Sequence, residues 1–274
     1  MKLKIITFCL LFVTIFVSCK KEDLSKGLNT GNSNVPILSK VLVDNQSSYE
    51  YVYNDSNMIS EVKSKFDFTI NHYNNKGQLV TAEYYGNDNI LSSNAEVSAT
   101  ALNSTTLVTS ENGTKSGVIT YEYNDNGQLT KTTYSLPSTT SSEYSGFTYD
   151  SNNRISRQTM YWANTETGYI DYSYDVKGNL IKEMLYNTPS TGVEELITTT
   201  SYNFDNENNP YKSSSKLLVP GINTNPNNII KETYTIHFTP DQGSDDVQVI
   251  ETSYQYNGLG YPVSKNGNVS YVYE

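Results

Sequence analysis

The pattern of apolar and polar residues repeats along most of this chain, and no stretch has a helical period. The repeating unit is Tyr-x-Tyr-Asn/Asp-x-x-Gly/Asn-x-Leu/Ile-x-Lys, and its best copy spans residues 121–131. Alternation of apolar and polar positions on either side of a turn signal is typical of β-hairpins. Seven copies begin at Tyr51, Asn71, Tyr121, Phe147, Tyr172, Tyr202 and Tyr254, and a truncated eighth is Tyr271-Val272-Tyr273.

The middle of each copy carries the residues of a tight turn. Position four is Asn or Asp in all seven copies, and position seven is Gly or Asn. An Asx side chain can bond the backbone amide two residues on, and Gly or Asn tolerates the left-handed region that closes a three-residue hairpin with a bulge. We therefore predict strand, turn, strand for each copy, with Asn124 and Gly127 as turn residues in one copy and Asp175 and Gly178 in another.

This turn also predicts a register. Tyr123 should face Leu129, and Tyr121 should face Lys131, so that the tyrosine pair and the leucine share one face of the sheet. In two copies the apolar ninth position is Pro210 or Pro262. We expect edges or bulges there, because proline cannot donate to a ladder.

The spacing of the copies predicts the fold class. Two gaps, from Tyr73 to Tyr123 and from Phe204 to Tyr256, are about twice as long as the others, which predicts degenerate copies near 97–108 and 234–249. Longer polar segments such as 163–168 should be loops between hairpins. The prediction is an all-β fold: a single antiparallel meander of about 14–16 strands, strongly curled, open or barrel-like.

The N-terminus reads as a targeting signal. Lys2 and Lys4 precede an apolar run, 5–17, that is too short to cross a bilayer. The following Phe16-Val17-Ser18-Cys19 resembles the lipobox of bacterial lipoproteins, which implies lipidation of Cys19; an ordinary signal peptide or an uncleaved anchor helix is the alternative. We expect a signal peptide at 1–18, a lipidated flexible tether at 19–34 and the repeat domain at 35–274.

Residues 20–23, Lys-Lys-Glu-Asp, resemble the surface-export signal of some Gram-negative lipoproteins. The resemblance implies an outer-membrane protein that is lipid-anchored and exposed at the cell surface; a periplasm-facing orientation is the alternative.

The repeats resemble the YD repeats of Rhs-type and teneurin-type proteins, over about residues 49–273. They are still more similar to those of small Gram-negative outer-membrane lipoproteins of unknown function with YD-like repeats. That resemblance implies a porin-like curled sheet, and the family has no catalytic residues to transfer.

Composition removes several classes of function. The chain has 274 residues, a net charge of −10, 24 Tyr, 32 Asn, two Cys and two His. The acidity argues against a nucleic-acid partner, and so few Cys and His argue against a Cys/His metal site. We expect no cofactor and no bound metal. The partners that we expect are the outer membrane, through the anchor, and a glycan or an envelope protein.

Few residues suggest catalysis. His72 and His237 are candidates for the base of a Ser-His-Asp triad, but we expect solvated strand histidines. Glu194-Glu195 and Asp245-Asp246 are carboxylate pairs that a glycosidase could use, although adjacent residues do not fix the required separation. Oxygen ligands at 205–208 and 87–89 have calcium-like spacing, which turn chemistry also explains.

The only Trp, Trp162, follows Tyr161 and is the candidate binding residue, because aromatic rings stack on sugars and suit interfaces. A packed residue at a strand end is the alternative. The favoured function is a non-catalytic binding or structural module of the cell envelope. The alternatives are a glycan-handling enzyme that uses loop carboxylates and a membrane pore. A concave surface with aromatic walls and no clustered carboxylates would favour binding.

Overall fold

A computed structural model describes residues 35–86, 113–137, 143–188, 192–211, 220–221, 224–239 and 243–274. The signal peptide, Cys19, the tether and the segments 87–89 and 97–108 lie outside these residues. In the described part of the chain there are 17 strands, and no helix there is long and apolar enough to cross a membrane.

The strands follow each other along the chain, with the predicted Asx turns on one edge of the sheet and connections as short as two residues, such as 44–45, on the other. They are β1 Leu38–Val43, β2 Gln46–Tyr53, β3 Ile59–Ser64, β4 Asp67–Tyr73, β5 Leu79–Gly86, β6 Thr114–Tyr123, β7 Leu129–Ser135, β8 Glu143–Tyr149, β9 Ile155–Trp162, β10 Thr165–Tyr174, β11 Leu180–Asn187, β12 Glu195–Phe204, β13 Ile229–Ile236, β14 Asp246–Glu251, β15 Tyr254–Tyr256, β16 Pro262–Lys265 and β17 Val269–Tyr273.

All ladders are antiparallel and belong to one sheet. Each strand from β1 to β13 pairs with the next, β15 pairs with β16, and β16 pairs with β17. The sheet curls enough to place β17 beside β1. No ladder joins β14 to β15 in the described residues, so the sheet is not closed into a barrel. The predicted all-β curled meander is confirmed.

The predicted Asx–Gly turn is present in the best copy. The Asn124 N–H donates to Gln128 O and the Gly127 N–H donates to Asn124 O, both at 2.9 Å. Asn124 Oδ1 accepts from the N–H groups of Asn126 and Gln128 at 3.0 Å. Gly127 has φ +79°, which explains why glycine is needed.

Asp175 and Gly178 form the same turn. Asp175 Oδ1 accepts from the N–H groups of Lys177 and Asn179 at 2.8 Å, and Gly178 has φ +92°. Positive φ also occurs at the seventh position of four other copies, at Asn57, Gly77, Asn153 and Gly260.

The predicted register is right for one pair and wrong for the next. Tyr123 faces Leu129, but Tyr121 faces Thr132 rather than Lys131. The bulge shifts the register between Glu122 and Tyr123, so Lys131 faces Glu122 instead, and their side chains lie 3.6 Å apart.

The copy at Tyr202 departs from the prediction. Phe204 pairs with Ile229, so the returning strand begins there and not at Pro210. The Asp205 N–H donates to Asn228 O at 3.1 Å. In the best copy the equivalent N–H, that of Asn124, donates to the carbonyl four residues on, so Asn228 takes the place of that local acceptor. Pro262 behaves as predicted: it starts β16 at a register shift opposite Tyr256.

Two further segments differ from the prediction. The degenerate copy expected at 234–249 is a hairpin of β13 and β14 joined through residues 237–245, on the opposite edge from the Asx turns. The predicted loop at 163–168 is a two-residue turn, in which Ala163 and Asn164 have φ 48° and 64° and β10 begins at Thr165. These paired positive φ values match the right-handed twist of a hairpin.

A hydrogen bond from tyrosine connects successive hairpins, and we call it the tyrosine staple. The third-position hydroxyl of one copy donates to the carbonyl of the ninth-position residue of the preceding copy. Tyr123 donates to Leu79 O at 2.7 Å, and Tyr149 donates to Leu129 O at 2.9 Å. The other staples are Tyr73 to Ile59 (2.7 Å), Tyr174 to Ile155 (2.7 Å), Tyr273 to Pro262 (2.6 Å) and, within β1 and β2, Tyr53 to Leu38 (2.6 Å).

The staple compensates for ladders that stop short of the turn. The β7–β8 ladder ends at Lys131 and Gly146, so Leu129, which is 2% exposed, lacks a strand partner on that side. A buried carbonyl without a partner is destabilising, and the Tyr149 hydroxyl supplies the missing donor.

We expect Tyr123→Phe to lower the free energy of unfolding by about 1–3 kcal/mol, because the Leu79 carbonyl loses its donor while ring packing is kept. Urea denaturation followed by circular dichroism measures the change. The matched control is Tyr134→Phe, at a residue 36% exposed and outside the staples. Equal effects of the two substitutions would refute the structural role of the hydroxyl.

Candidate functional site

The inner face of the curled sheet encloses a tyrosine-lined cavity of about 520 Å³. First-position tyrosines of four copies contribute to it, and so does Tyr73, whose hydroxyl forms a staple. The lining residues are Tyr49, Tyr51, Ile59, Val62, Thr69, Asn71, Tyr73, Leu79, Tyr84, Tyr121, Asn209, Pro210, Tyr211, Asn228, Ile229, Tyr254, Lys265 and Tyr271. This lining combines aromatic faces with amide and hydroxyl groups.

The cavity wall is electrically almost neutral. It has no Asp or Glu, and Lys265 is its one ordinarily charged side chain. Burial raises the pKa of Tyr254 to about 12, and burial also raises the pKa of Tyr51 and Tyr121. These phenols therefore stay protonated at neutral pH and can donate hydrogen bonds.

Asn228, a residue of the wall, has a buried polar atom with no hydrogen-bond partner among the described residues. Asn228 is 2% exposed, and its Oδ1 has no hydrogen-bond donor. The amide Nδ2 is fixed by Asp205 Oδ2 at 3.0 Å and Asn208 O at 3.2 Å, so Oδ1 is oriented as an acceptor. Sequence reasoning missed this residue, because the Asn-rich run 223–228 read as a polar segment.

A carboxylate cluster lies on β11, β12 and β13. Glu183 is partly buried, and burial raises the pKa of its carboxyl group. The Tyr202 hydroxyl donates to this carboxylate at 2.8 Å and lowers the pKa, whereas the nearby charge of Glu232 raises it further. Tyr202 faces Glu232 across the β12–β13 ladder. These groups come from three strands, and sequence reasoning missed them. None of them lines the tyrosine cavity.

The predicted binding residues Tyr161 and Trp162 lie together at the end of β9. Trp162 is 56% exposed, and Tyr161 stacks on Tyr144 with ring centroids 4.6 Å apart. They share a cleft of about 580 Å³ with Tyr134 and Met160. The exposure of the indole differs from the packed strand-end residue that was the alternative.

His237 belongs to a chain of polar contacts. Its Nε2 lies 2.8 Å from Thr199 Oγ1, and its Nδ1 lies 2.8 Å from Asp245 Oδ2. Asp245 Oδ1 also accepts the Phe238 N–H at 3.1 Å, and these two contacts lower the pKa of Asp245. The order of groups resembles a hydroxyl–His–Asp triad, but Thr199 is β-branched and lies in β12. The contacts connect β12 to the segment between β13 and β14.

The other candidate catalytic residues do not converge. Glu194 accepts the Tyr169 hydroxyl at 2.8 Å, whereas its neighbour Glu195 begins β12. His72 is exposed, and its Nε2 lies 4.0 Å from a Glu83 carboxylate oxygen. Among the described residues, no group of three or more His, Cys, Asp or Glu side chains could hold a metal ion.

Asp205, the first of the calcium-like run at 205–208, has a structural role. Its carboxylate accepts hydrogen bonds from Asn228 Nδ2 and the Tyr256 hydroxyl, and it also accepts the N–H groups of Glu207 and Asn228. Only the bond from the Glu207 N–H is the turn chemistry of the alternative explanation, whereas the bonds from Asn228 and Tyr256 come from distant parts of the chain.

Comparison with known proteins gives no family. No family model matches the chain, and no curated protein matches it. The chain is similar to a porin-like protein from Bacteroides uniformis (15% identity, TM-score 0.39, covering 86% of this chain and 98% of that chain) and to one from Bacteroides vulgatus (12%, 0.38, 87% and 99%). It is also similar to a TcdB2-TccC3-TEV structure (13%, 0.29, 75% and 10%). These likenesses concern the course of the sheet and bring no activity with them.

We expect the protein to unfold in alkali. Burial raises the pKa of Tyr121, Tyr172 and Tyr271 above the ordinary value of 10.0. The stabilisation that each neutral phenol provides is complete below about pH 10 and is lost as pH rises through the raised pKa, at about 1.4 kcal/mol per pH unit and group.

Urea denaturation at a series of pH values, together with tyrosinate absorbance, measures this loss. The denaturation midpoint should hold below about pH 10 and fall above it. A constant midpoint in alkali, with all tyrosines titrating near 10, would contradict the prediction.

Proposed function

We propose that this protein is a non-catalytic binding module of the cell envelope, and that its inner cavity takes a saccharide. The observation that carries the proposal is the composition of the cavity wall, which has eight tyrosines and no carboxylate. Aromatic walls with a few fixed polar groups are typical of ligand sites of this size.

The chemistry of the wall fits a sugar ring. The C–H face of a pyranose stacks on phenol rings, and sugar hydroxyls bond to amides and phenols. In the cavity wall, Asn71 and Lys265 offer hydrogen-bond donors to these hydroxyls. A saccharide therefore satisfies both the apolar and the polar parts of the site.

The enzymatic alternative has less support. A glycosidase needs two carboxylates on opposite sides of the sugar. The described carboxylates Glu194 and Asp245 are held by Tyr169 and His237, and the Glu183 cluster lies outside the cavity lining. We place the function in binding.

The Trp162 cleft is the second candidate site. Its exposed indole and the stacked Tyr144 and Tyr161 rings form a surface suited to a glycan chain or an envelope protein. It lies at the opposite end of β9 from the Asx turn at Asp150.

We expect binding of a glycan from an array to weaken about tenfold or more on Tyr254→Ala, because one stacking surface is lost. Calorimetric titration of purified protein with the selected saccharide measures the change. Tyr254 is a first-position tyrosine and forms no staple, so the fold should survive.

Trp162→Ala is the matched control, since it removes an aromatic ring from the cleft and leaves the cavity intact. Binding that is kept in Trp162→Ala and lost in Tyr254→Ala supports the inner site. The reverse result would move the site to the cleft, and saccharide turnover by the purified protein would replace binding with catalysis.

The location is part of the same proposal: attachment to the outer membrane through lipidated Cys19, with the sheet facing outward. The sequence Phe16-Val17-Ser18-Cys19 supports it. A multiply acylated Cys holds a protein stably at a bilayer.

We expect metabolic labelling with palmitate to mark the wild-type protein and to disappear in Cys19→Ser. A label that persists in this variant would show acylation elsewhere, and the absence of label in the wild type would refute the anchor. Protease treatment of intact cells separates the outward orientation from the periplasmic one.

A further inference from the structure

Strand β14 is an exposed edge with apolar side chains on both faces. All six of its residues, Asp246–Glu251, are exposed. Val247, Val249 and Ile250 are 55%, 53% and 54% exposed. No other strand of the described sheet is exposed along its whole length.

The hydrogen-bond pattern identifies the free backbone groups. The Thr252 N–H donates to Ile230 O at 2.9 Å, and Lys231 faces Glu251 in the β13–β14 ladder. Because bonded and non-bonded pairs alternate, residues 246, 248 and 250 bond to β13. The N–H and C=O groups of 247, 249 and 251 point away from the sheet and have no partner in the described residues.

Strand β16, which would have to lie beside this edge, ends too early to pair with it. Ser253 O accepts the Asn266 N–H at 2.9 Å, and β15 continues along β16 from Tyr254 opposite Lys265. The chain then turns away at Gly267, which has φ +76°. The position beside β14, where a longer β16 would lie, is therefore empty of ladder partners in the described chain.

This edge lacks the usual protection. Exposed edges are commonly blocked by proline, lysine or a bulge. β14 reads Asp-Val-Gln-Val-Ile-Glu, and its ladder with β13 has no register shift. It therefore offers six unpaired backbone groups on a regular strand, next to β-branched side chains that favour a sheet.

We propose that β14 is a docking edge for an extended segment of another protein, which adds an antiparallel strand beside it. The partner segment has β-branched residues at its centre and basic residues at its ends. The charges on the edge select for this chemistry, because Asp246 lies at one end of β14, Glu251 lies at the other, and the whole chain has a net charge of −10.

A second copy of the chain fits the same edge less well. It would bring another charge of −10 to the contact, and like charges disfavour association. A basic strand gains backbone hydrogen bonds, apolar cross-strand contacts and opposite charges together.

The test uses a blocked, fluorescent hexapeptide, Lys-Thr-Val-Thr-Ile-Lys, and the full-length protein, with anisotropy as the readout. We expect saturable binding that Val249→Pro weakens about tenfold or more, because proline removes an outward N–H and leaves the β13 ladder intact. Val249→Ala is the matched control, since it keeps the N–H, and it should bind within a few-fold of wild type.

Two more peptides keep the result independent of how the variants fold. The same sequence with an N-methyl group on every residue, and its counterpart with Glu in place of Lys, should both fail to bind, because full methylation blocks both edges of the peptide. Equal binding of the N-methylated peptide would overturn strand addition, and equal binding of the acidic peptide would overturn the charge selection. Sedimentation of the wild-type protein as a dimer that Val249→Pro dissociates would assign the edge to a second copy instead.

Discussion

The hydrogen bond from a third-position tyrosine to the preceding ninth-position carbonyl holds this sheet together between its hairpins. Each Asx turn makes its own hairpin, but neighbouring hairpins separate near the turns, and a carbonyl such as Leu129 O would then be buried without a donor. Tyr149 supplies the donor and also fixes the distance between successive repeats. Phe204 has no hydroxyl and forms no staple; there Asn225 Oδ1 accepts the Leu180 N–H at 2.7 Å, a bond to the amide and not to the carbonyl.

Most third-position and first-position tyrosines have different uses, although Tyr73 both forms a staple and lines the cavity. Third-position hydroxyls such as those of Tyr53 and Tyr273 are committed to carbonyls, and these two staples flank the contact between β1 and β17. First-position tyrosines such as Tyr121 and Tyr254 have no such acceptor and line the inner cavity. One repeat therefore provides both the connection that curls the sheet and the aromatic wall on its inner face.

The sequence predicts what depends on neighbouring residues and misses what depends on distant ones. The Asn124–Gly127 turn lies within five residues, so its side-chain and backbone bonds can be read from the repeat. At Tyr202 the repeat looks intact, yet Asp205 accepts a hydrogen bond from the distant Asn228. The local sequence pattern does not contain this contact. The cavity likewise joins residues from strands far apart in the chain, such as Tyr51 and Tyr254.

The opening between β14 and β15 follows from a change of partner within one extended segment. Thr252 bonds to Ile230 on one side, whereas Ser253 bonds to Asn266 on the other, so the same segment ends one ladder and begins the next. Because side chains alternate along a strand, Val247 and Val249 face away from the surface that carries Tyr254. A strand added beside β14 would extend the sheet without entering the tyrosine cavity. No residue of β14 is among the cavity-lining residues, so the edge and the cavity are different surfaces of the described sheet.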